Sequence, residues 1–479
     1  MNDIVELVVV GGGPAGIEAA VAAAQAGAEV ILIDSSPRPG GQYFKQLPDA
    51  FKCEDHTAHQ HKAQKLFQKL ASSSVKVYSD TLVWGIFEGS QPDTWCLTLH
   101  GTEAPARLNA RSVILATGAY DRSIPFPGWD LPGVITAGAA LTMLKHQRIL
   151  PGRRVILSGS GPLLLAAAAQ LAQAGAEVAG VLESSANLVW RGIPYLPALW
   201  GQWGRMIEGL GYIKTLVGAG IPYRTGWAVT AAHGEERVSE AVMVRLDREG
   251  KPIPGSEKTA AVDAVILGYG LTPSTELFRL LECKLEFSAG HGGFIPRRDE
   301  NLETSRPGIY AAGDGAGIGG AEMAMIEGRI AGYAVAARLG HGADPQIQRA
   351  VSQARAALRR ERRFANLLGD LFSPPAGLYT LAKDDTVLCR CEQVTLGQLR
   401  EAISYGTQTI TDLKNIVRSG MGNCQGRTCG SIVAQVMAAE TGRSLEAVRY
   451  YNIRPPVHPV PLWAIEEYEP EKRHGELEE

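Results

Sequence analysis

Cysteine is scarce in this sequence, with seven among 479 residues. So sparse and odd a count excludes a small disulfide-built secreted scaffold, and a chain this long buries a sizeable core without staples. Neither sign of charge is in excess: Lys plus Arg is 47 and Asp plus Glu is 50, for a net charge of −3. Nothing in that balance supports a nucleic-acid binder or a polyanion-steering surface. A signal peptide is not expected either. Met1-Asn2-Asp3 has no basic region, the apolar run from Ile4 to Val10 is broken by Glu6, and no cleavage site precedes Gly11, so the expected location is the cytoplasm. One long uncharged run exists, the 22 residues Val155–Ala176, which is enough to span a bilayer. Gly159-Ser160-Gly161-Pro162 interrupts it, and the run reads as a buried strand, a turn and an Ala- and Leu-rich helix. Glycine is abundant instead: 55 residues, about 11% against the usual ~7%. Length alone predicts about three domains.

Val5–Val10 reads as a buried parallel strand, Pro14–Ala26 as a helix stopped by Gly27, and Glu29–Asp34 as the next strand. The unit recurs at Arg154–Ser158, Pro162–Ala174 and Glu177–Glu183, with Gly159 lying 148 residues after Gly11. The chain therefore holds two copies of one βαβ unit. In the first copy Gly11-Gly12-Gly13-Pro14-Ala15-Gly16 fits GxGxxG directly between strand and helix. Gly11 permits the tight turn, Gly13 the approach of a pyrophosphate to the helix N-terminus, and Gly16 the close packing of helix on strand. Asp34 ends the second strand, where an acid binds a ribose hydroxyl.

Downstream lie Pro39-Gly40-Gly41-Gln42, the strand-closing Leu115-Ala116-Thr117-Gly118, and Gly313-Asp314. This ordered set resembles the two-dinucleotide-domain flavoproteins of the glutathione-reductase fold, over roughly residues 1–340. The resemblance implies FAD in the first unit, with Gly40, Gly41, Gln42, Thr117, Gly118, Gly313 and Asp314 around it. Asp34 stands where the family usually has Glu. For the second unit it implies NAD(P) at Gly159 and Gly161, with Glu183 on the ribose. Leu164 departs from the pattern: it occupies the third position, where Gly or Ala normally allows close packing. Leu164 is expected to push the helix outward and disturb the phosphate site. Hydride transfer from NAD(H), a nucleotide (NAD, FMN or another) held as structure, and an empty relic all stay open. The paired redox cysteines of disulfide reductases are missing, since Gly40-Gly41-Gln42-Tyr43-Phe44 has none and Cys53, Cys96 and Cys283 are isolated. Each isolated thiol reads as a small buried hydrophobe.

The other four cysteines are concentrated: Cys389-Arg390-Cys391, then Cys424 and Cys429 in Gly420-Met421-Gly422-Asn423-Cys424-Gln425-Gly426-Arg427-Thr428-Cys429. Two close pairs suit tetrahedral zinc or a [2Fe–2S] cluster, and structural disulfides are the bland alternative. Gly420, Gly422, Gly426 and Gly430 leave backbone amides free to point at sulfur. CRCE followed by GMGNCQGRTC resembles the bacterioferritin-associated-ferredoxin-like [2Fe–2S] domain, which implies Cys389, Cys391, Cys424 and Cys429 as iron ligands.

The expected fold is α/β: two Rossmann-like dinucleotide-binding units plus a small, mainly helical C-terminal [2Fe–2S] domain. The expected domains are 1–125 with 285–340 (FAD), 126–284 (second nucleotide), 341–384 (basic helical linker), 385–452 (cluster) and 453–479 (extended tail). Arg355–Arg363 reads as a solvated helix face or a docking site. His56, His59 and His61 read as an exposed polar stretch, and no substrate acid–base constellation is found. The whole order resembles the α subunits of dye-linked, multi-subunit amino-acid dehydrogenases, the group of opine oxidases, D-hydroxyproline and L-proline dehydrogenases and hydrogen cyanide synthase. That resemblance implies an oxidoreductase subunit in a hetero-oligomer. A β subunit similar to sarcosine or glycine oxidase oxidises the amine, with a small third subunit in some members, and electrons pass to a quinone or dye. The competing readings are a self-sufficient NAD(P)H-dependent reductase and a redox-sensing or assembly subunit.

Overall fold

The computed structural model describes residues 4–48, 58–342 and 344–466; Cys53, His56 and the charged end after Glu466 lie outside them. The apolar N-terminal run forms β1 (Ile4–Val10), followed by α1 (Pro14–Gln25), β2 (Val30–Ile33), α2 (Ala58–Ala71), β3 (Lys76–Tyr78), β4 (Thr81–Glu88), β5 (Trp95–Gly101) and β6 (Arg107–Leu115). Strands β3, β2, β1 and β6 run parallel, and β5 and β4 extend the sheet antiparallel. All four residues of β2 are buried, because helices and loops cover both faces of a parallel sheet. β3 and β4 are parted at Asp80, whose φ is +48°.

After β7 (Ala119–Asp121) the chain builds a second sheet. Its elements are β8 (Val134–Thr136), α3 (Ala137–Thr142), β9 (Arg154–Gly159), α4 (Pro162–Gln173), β10 (Glu177–Glu183), α5 (Leu188–Gly192), α6 (Trp203–Gly218), β11 (Tyr223–Thr225), a three-stranded antiparallel sheet β12 (Trp227–His233), β13 (Glu240–Arg245) and β14 (Lys258–Ala261), and then β15 (Ala264–Gly268). The order β11-β10-β9-β15-β8 repeats the parallel plan of the first unit. The uncharged run Val155–Ala176 is thus strand, turn and helix. Among the described residues no helix is long and apolar enough to cross a membrane.

The chain then returns. β16 (Leu271–Pro273) pairs with β7, α7 (Glu276–Leu280), β17 (Leu285–Ser288) and β18 (Gly293–Pro296) follow, and β19 (Ile309–Ala311) pairs with β6, so the second unit is an insertion in the first. α8 (Gly320–Arg338) lies directly on α1. Its Gly328 and Gly332 permit this, since a Cβ there would sit 2.1 Å from the Ala15 carbonyl oxygen and 2.3 Å from that of Ala19.

The basic stretch forms α9 (Pro345–Phe372), a 28-residue helix N-capped by Asp344. It is not simply a solvated face. Ala354, Leu358, Ala365, Leu367 and Leu371 are buried, and Arg355 donates to Asn301 at 2.6 Å. Arg362 lies 3.7 Å from the buried Glu327, which Arg298 also holds at 2.9 Å. At the other unit, Arg205 meets Glu361 at 2.8 Å. A 3₁₀ turn leads to β20 (Val387–Cys389), β21 (Val394–Thr395), α10 (Leu396–Ser404), α11 (Ile410–Val417), α12 (Cys429–Thr441), α13 (Leu445–Val448) and α14 (Leu462–Glu466). Capping boxes Thr395/Gln398 and Thr409/Asp412 open α10 and α11. This module shares one core with the second unit: Phe126 and Trp129 pack in the same cluster as Leu388, Ile432 and Val433. The Trp129 indole donates to the Val387 carbonyl at 2.6 Å.

Candidate functional site

Gly11 leaves β1 with φ +106°, a conformation that favours glycine. A Cβ there would lie 2.3 Å from the Ala116 carbonyl oxygen, and a Cβ at Gly16 only 1.8 Å from that of Gly11. Strand, turn and helix therefore touch at distances a side chain would forbid, and the N-terminus of α1 at Pro14 faces the turn. Asp34 is buried and accepts from the Gly12 and Ser36 amides, which ties the end of β2 to the turn. The Gly40-Gly41 turn folds onto the first: Gly40 donates to the Gly12 carbonyl at 2.7 Å, and a Cβ on Gly41 would stand 2.8 Å from Gly13 Cα. Exposed Gln42 follows at its rim.

Thr117 and Gly118 close β6 beside this cradle, with open space around Gly118. The Thr117 hydroxyl donates to the Ser274 carbonyl at 2.8 Å. Gly313 sits against Ala15, and Gly315 against Thr117. Asp314 accepts from the Gly319 and Gly320 amides at 3.0 Å each, while burial pushes its carboxyl above the usual range. The structure thus gathers Gly11, Gly13, Pro14, Ala15, Gly16, Asp34, Gly40, Gly41, Gln42, Thr117, Gly118, Gly313 and Asp314 around one helix N-terminus. This side-chain-free, amide-lined cradle fits a dinucleotide pyrophosphate. A cleft of about 400 Å³ between Glu29, Lys76, Tyr78 and Arg107 contains none of these residues.

The second turn is built alike. Glu183 is buried and accepts from the Gly161 and Ser185 amides at 2.9 Å each. Burial raises its pKa, against those two hydrogen bonds. Leu164 is accommodated differently from expectation. It is fully buried, and Gly268 on the neighbouring strand makes the room: a Cβ at Gly268 would stand 3.1 Å from Leu164 Cδ1. Phe372, the last residue of α9, places its Cβ and Cγ 3.4 and 3.6 Å from where a Gly161 Cβ would be. Phe372 therefore packs beside the second glycine turn. Lying 211 residues further along the chain, Phe372 carries no local signal of this position.

In the C-terminal module Cys389 ends β20 and Cys429 begins α12. The four thiols lie close enough to act on one another: Cys429 on Cys389, Cys424 and Cys389 on Cys391, and Cys424 on Cys429. Four thiolates brought together from two loops suit the two irons of a [2Fe–2S] cluster. A hydrogen bond from Cys429, aided by the Gly420, Glu392 and Cys391 amides, brings the Cys389 thiol down to about 5. The same thiol–thiol bond and burial push Cys429 up. The glycines have a second use that carries no local signal. A Cβ at Gly420 or Gly426 would stand 2.6 or 2.7 Å from the Tyr451 ring. The Tyr451 hydroxyl donates to Ser419 at 3.0 Å and lies 4.0 Å from Cys429 Sγ. Gly422 makes room for Cys391, whose Cβ would be 2.3 Å from its own.

Arg427, inside the cluster loop, joins the two sites. Its Nε donates to the Tyr120 hydroxyl at 2.8 Å, its Nη1 to the carbonyl of Cys424 at 3.2 Å, and its Nη2 to that of Val457 at 2.8 Å, with His458 Nε2 at 3.0 Å. Tyr120 is two residues beyond Gly118; the Ser274 hydroxyl donates to Glu276 (2.8 Å) and lies within hydrogen-bond distance of the Tyr120 hydroxyl (3.1 Å). Glu276 faces Arg427 and Arg279 at 3.8 Å each, and Arg279 donates to the Tyr451 carbonyl at 2.9 Å. Burial and then Glu276 raise the Tyr120 hydroxyl, while burial lowers His458 to about 4. A continuous hydrogen-bonded chain therefore runs from Thr117 and Gly118 to Cys424. Away from it, Cys96 and Cys283 are buried singly. His59 contacts the Tyr43 carbonyl at 3.0 Å from the first turn of α2, which also carries His61.

Residues 5–340 match the family model of pyridine nucleotide-disulphide oxidoreductases, and residues 387–439 that of the BFD-like [2Fe-2S] binding domain. The A component of opine oxidase from Agrobacterium tumefaciens is 34% identical over 474 residues, covering 96% of this chain and 91% of that protein. Hydrogen cyanide synthase subunit HcnB of Pseudomonas aeruginosa is 34% identical over 476 residues, covering 96% and 98%. The crystal structure of L-proline dehydrogenase from P. horikoshii superposes with a TM-score of 0.68 at 23% identity, over 97% of this chain and 79% of that one, a likeness of fold.

Proposed function

We propose, from the premise that the chain belongs to the family of the opine oxidase A component and hydrogen cyanide synthase subunit HcnB, that it relays electrons from an amine-oxidising partner subunit to a quinone or dye acceptor. It is a flavin- and iron–sulfur-bearing subunit of a multi-subunit oxidoreductase. Bound FAD takes up two electrons and a [2Fe–2S] cluster passes them on one at a time. The chain's own residues do the positioning. The glycine turns and the N-terminus of α1 would hold the dinucleotide, with Asp34 on its ribose. Cys389, Cys391, Cys424 and Cys429 would hold the cluster. The partner in this reading resembles sarcosine or glycine oxidase and oxidises an amino acid or opine.

The observation that carries the reading is the part-buried hydrogen-bonded link Gly118–Ser274–Tyr120–Arg427–Cys424. It sets the flavin cradle and the cluster loop in fixed register inside one chain. Phe372 on the second turn weighs against a self-sufficient NAD(P)H reductase. Anaerobic addition of NADH to the purified, flavin-loaded chain is expected to leave the flavin absorbance unchanged. Addition of the amine substrate to the complete assembly is expected to bleach it and then reduce the cluster. Rapid bleaching by NADH alone, or full amine oxidation by the isolated chain, would refute the reading.

A further inference from the structure

The segment from α5 through α6 is unlike the rest of the surface. Trp203, Ile207, Leu210 and Val217 form one stripe along α6, at spacings of four, three and seven residues, and all are exposed; Ile207 is 70% so. Just before them Trp190, Leu196 and Trp200 are exposed as well, Trp200 by 78%. Leu216 is the one buried residue of α6. Together these side chains present on the order of 1,000 Å² of apolar surface, where a monomer's largest patch is ~300–600 Å² and a standard interface buries ~800 Å² per partner.

Beside the stripe runs a second one. Gly204, Gly211 and Gly218 recur every seven residues, in step with Trp203, Leu210 and Val217. Glycine weakens a helix interior, so its presence there calls for a reason. In α8 the reason is visible, because Gly328 and Gly332 let α1 approach. In α6 a Cβ at Gly204, Gly211 or Gly218 would meet nothing within 4 Å. The need for a flat, close surface is therefore not met within the chain. A bilayer draws no advantage from missing methyl groups, whereas a second helix backbone does. Lys214 lies in the middle of the exposed face, with no ion pair to a described residue, and the acid Glu208 sits off that face, bonded to Tyr212. A second copy of this chain would bring another such lysine and no acid to match it.

We infer that α6, with the preceding Trp-rich turn, docks an apolar helix of a different subunit of the same assembly, one that carries a carboxylate opposite Lys214. This rests on the multi-subunit reading above and names the surface through which it is achieved. The test uses the full-length chain, affinity-tagged in the cell that makes it, as wild type and as Gly211→Leu, Leu210→Asp and Lys214→Glu. The wild type is expected to purify with a stoichiometric subunit that bears its own flavin, and a photo-crosslinker at position 207 is expected to link to a helix of that subunit. Each variant should retain its melting temperature and its flavin and cluster absorbance, yet lose the partner at least tenfold. A Lys replacing the crosslink-neighbouring acid of the partner should restore binding to Lys214→Glu. Partner retention by all three variants overturns the inference but leaves the multi-subunit reading intact, as does flotation with phosphatidylglycerol vesicles that the variants abolish. A wild-type homodimer broken by the same variants overturns it too. A wild-type chain that purifies alone and oxidises amines by itself defeats both.

Discussion

Replacing Arg427 by Met keeps most of the side-chain volume and removes the hydrogen bond to Tyr120 that joins the cluster loop to the flavin cradle. Arg427 and Glu276 are 9% and 7% exposed, so the ion pair is buried. Breaking such a pair typically costs about 3–5 kcal/mol. The lower end applies, since Glu276 keeps Arg279 and Ser274 as partners. Tyr120→Phe removes the hydroxyl that meets both Arg427 and Ser274 and should cost about 1–2 kcal/mol. Because both act on one contact, the double variant should cost less than the sum of the singles. The decisive assay is anaerobic stopped-flow: reduce the flavin and follow the cluster's visible absorbance. Both single variants should retain flavin and iron, and transfer between the sites should slow about tenfold, equivalent to ~1.4 kcal/mol in the barrier. If Arg427→Met and Tyr120→Phe both transfer at the wild-type rate, the bridge has no part in coupling the sites. If Arg427→Met loses its iron while Tyr120→Phe is unaffected in rate, Arg427 is an anchor of the ligand loop alone.

Cys424→Ser should lose the cluster, seen as loss of iron and of visible charge-transfer absorbance, with flavin content unchanged. Gly16→Leu would drive its Cβ to 1.8 Å from the Gly11 carbonyl oxygen and should abolish flavin retention. Leu164→Ala, at the matching position of the second unit, should leave a cavity opposite Gly268 and lower stability by about 2–5 kcal/mol, measured by denaturant titration. His458 falls from the usual 6.5 to about 4 on folding, so the folded state binds fewer protons than the unfolded one. Its contribution is present above pH 6.5 and is lost as pH drops toward 4; His458→Gln should flatten that part of the melting-temperature profile.

How much of the fold and site is legible in the sequence depends on how local the signal is. The glycine turns, Asp34, Glu183 and the four cysteines each belong to contiguous motifs, and the element boundaries follow apolar runs closely. Leu164 reads as a wedge because its compensation, Gly268, lies 104 residues away. Arg427 reads as a spacer between two ligands; its partner Tyr120 is 307 residues away. The Arg355–Arg363 stretch reads as solvated because a charge in sequence does not reveal the buried Glu327 that it meets. Gly420 and Gly426 read as exposing amides, although the ring of Tyr451 also requires them. In each case the missing information is the identity of a distant neighbour, which no periodicity encodes.

One consequence of α9 concerns motion. Its flank is pinned to the flavin-side unit through Arg355 and Arg362, to α6 through Glu361, and its final residue rests on the second glycine turn. A rod attached at both ends acts as a tie-bar: neither nucleotide-binding unit can swivel against the other without parting an arginine from a buried carboxylate. The two nucleotide-binding units are thereby held at one spacing. On the proposed relay, any dependence of turnover on viscosity or ionic strength is expected to arise where this chain meets a partner subunit.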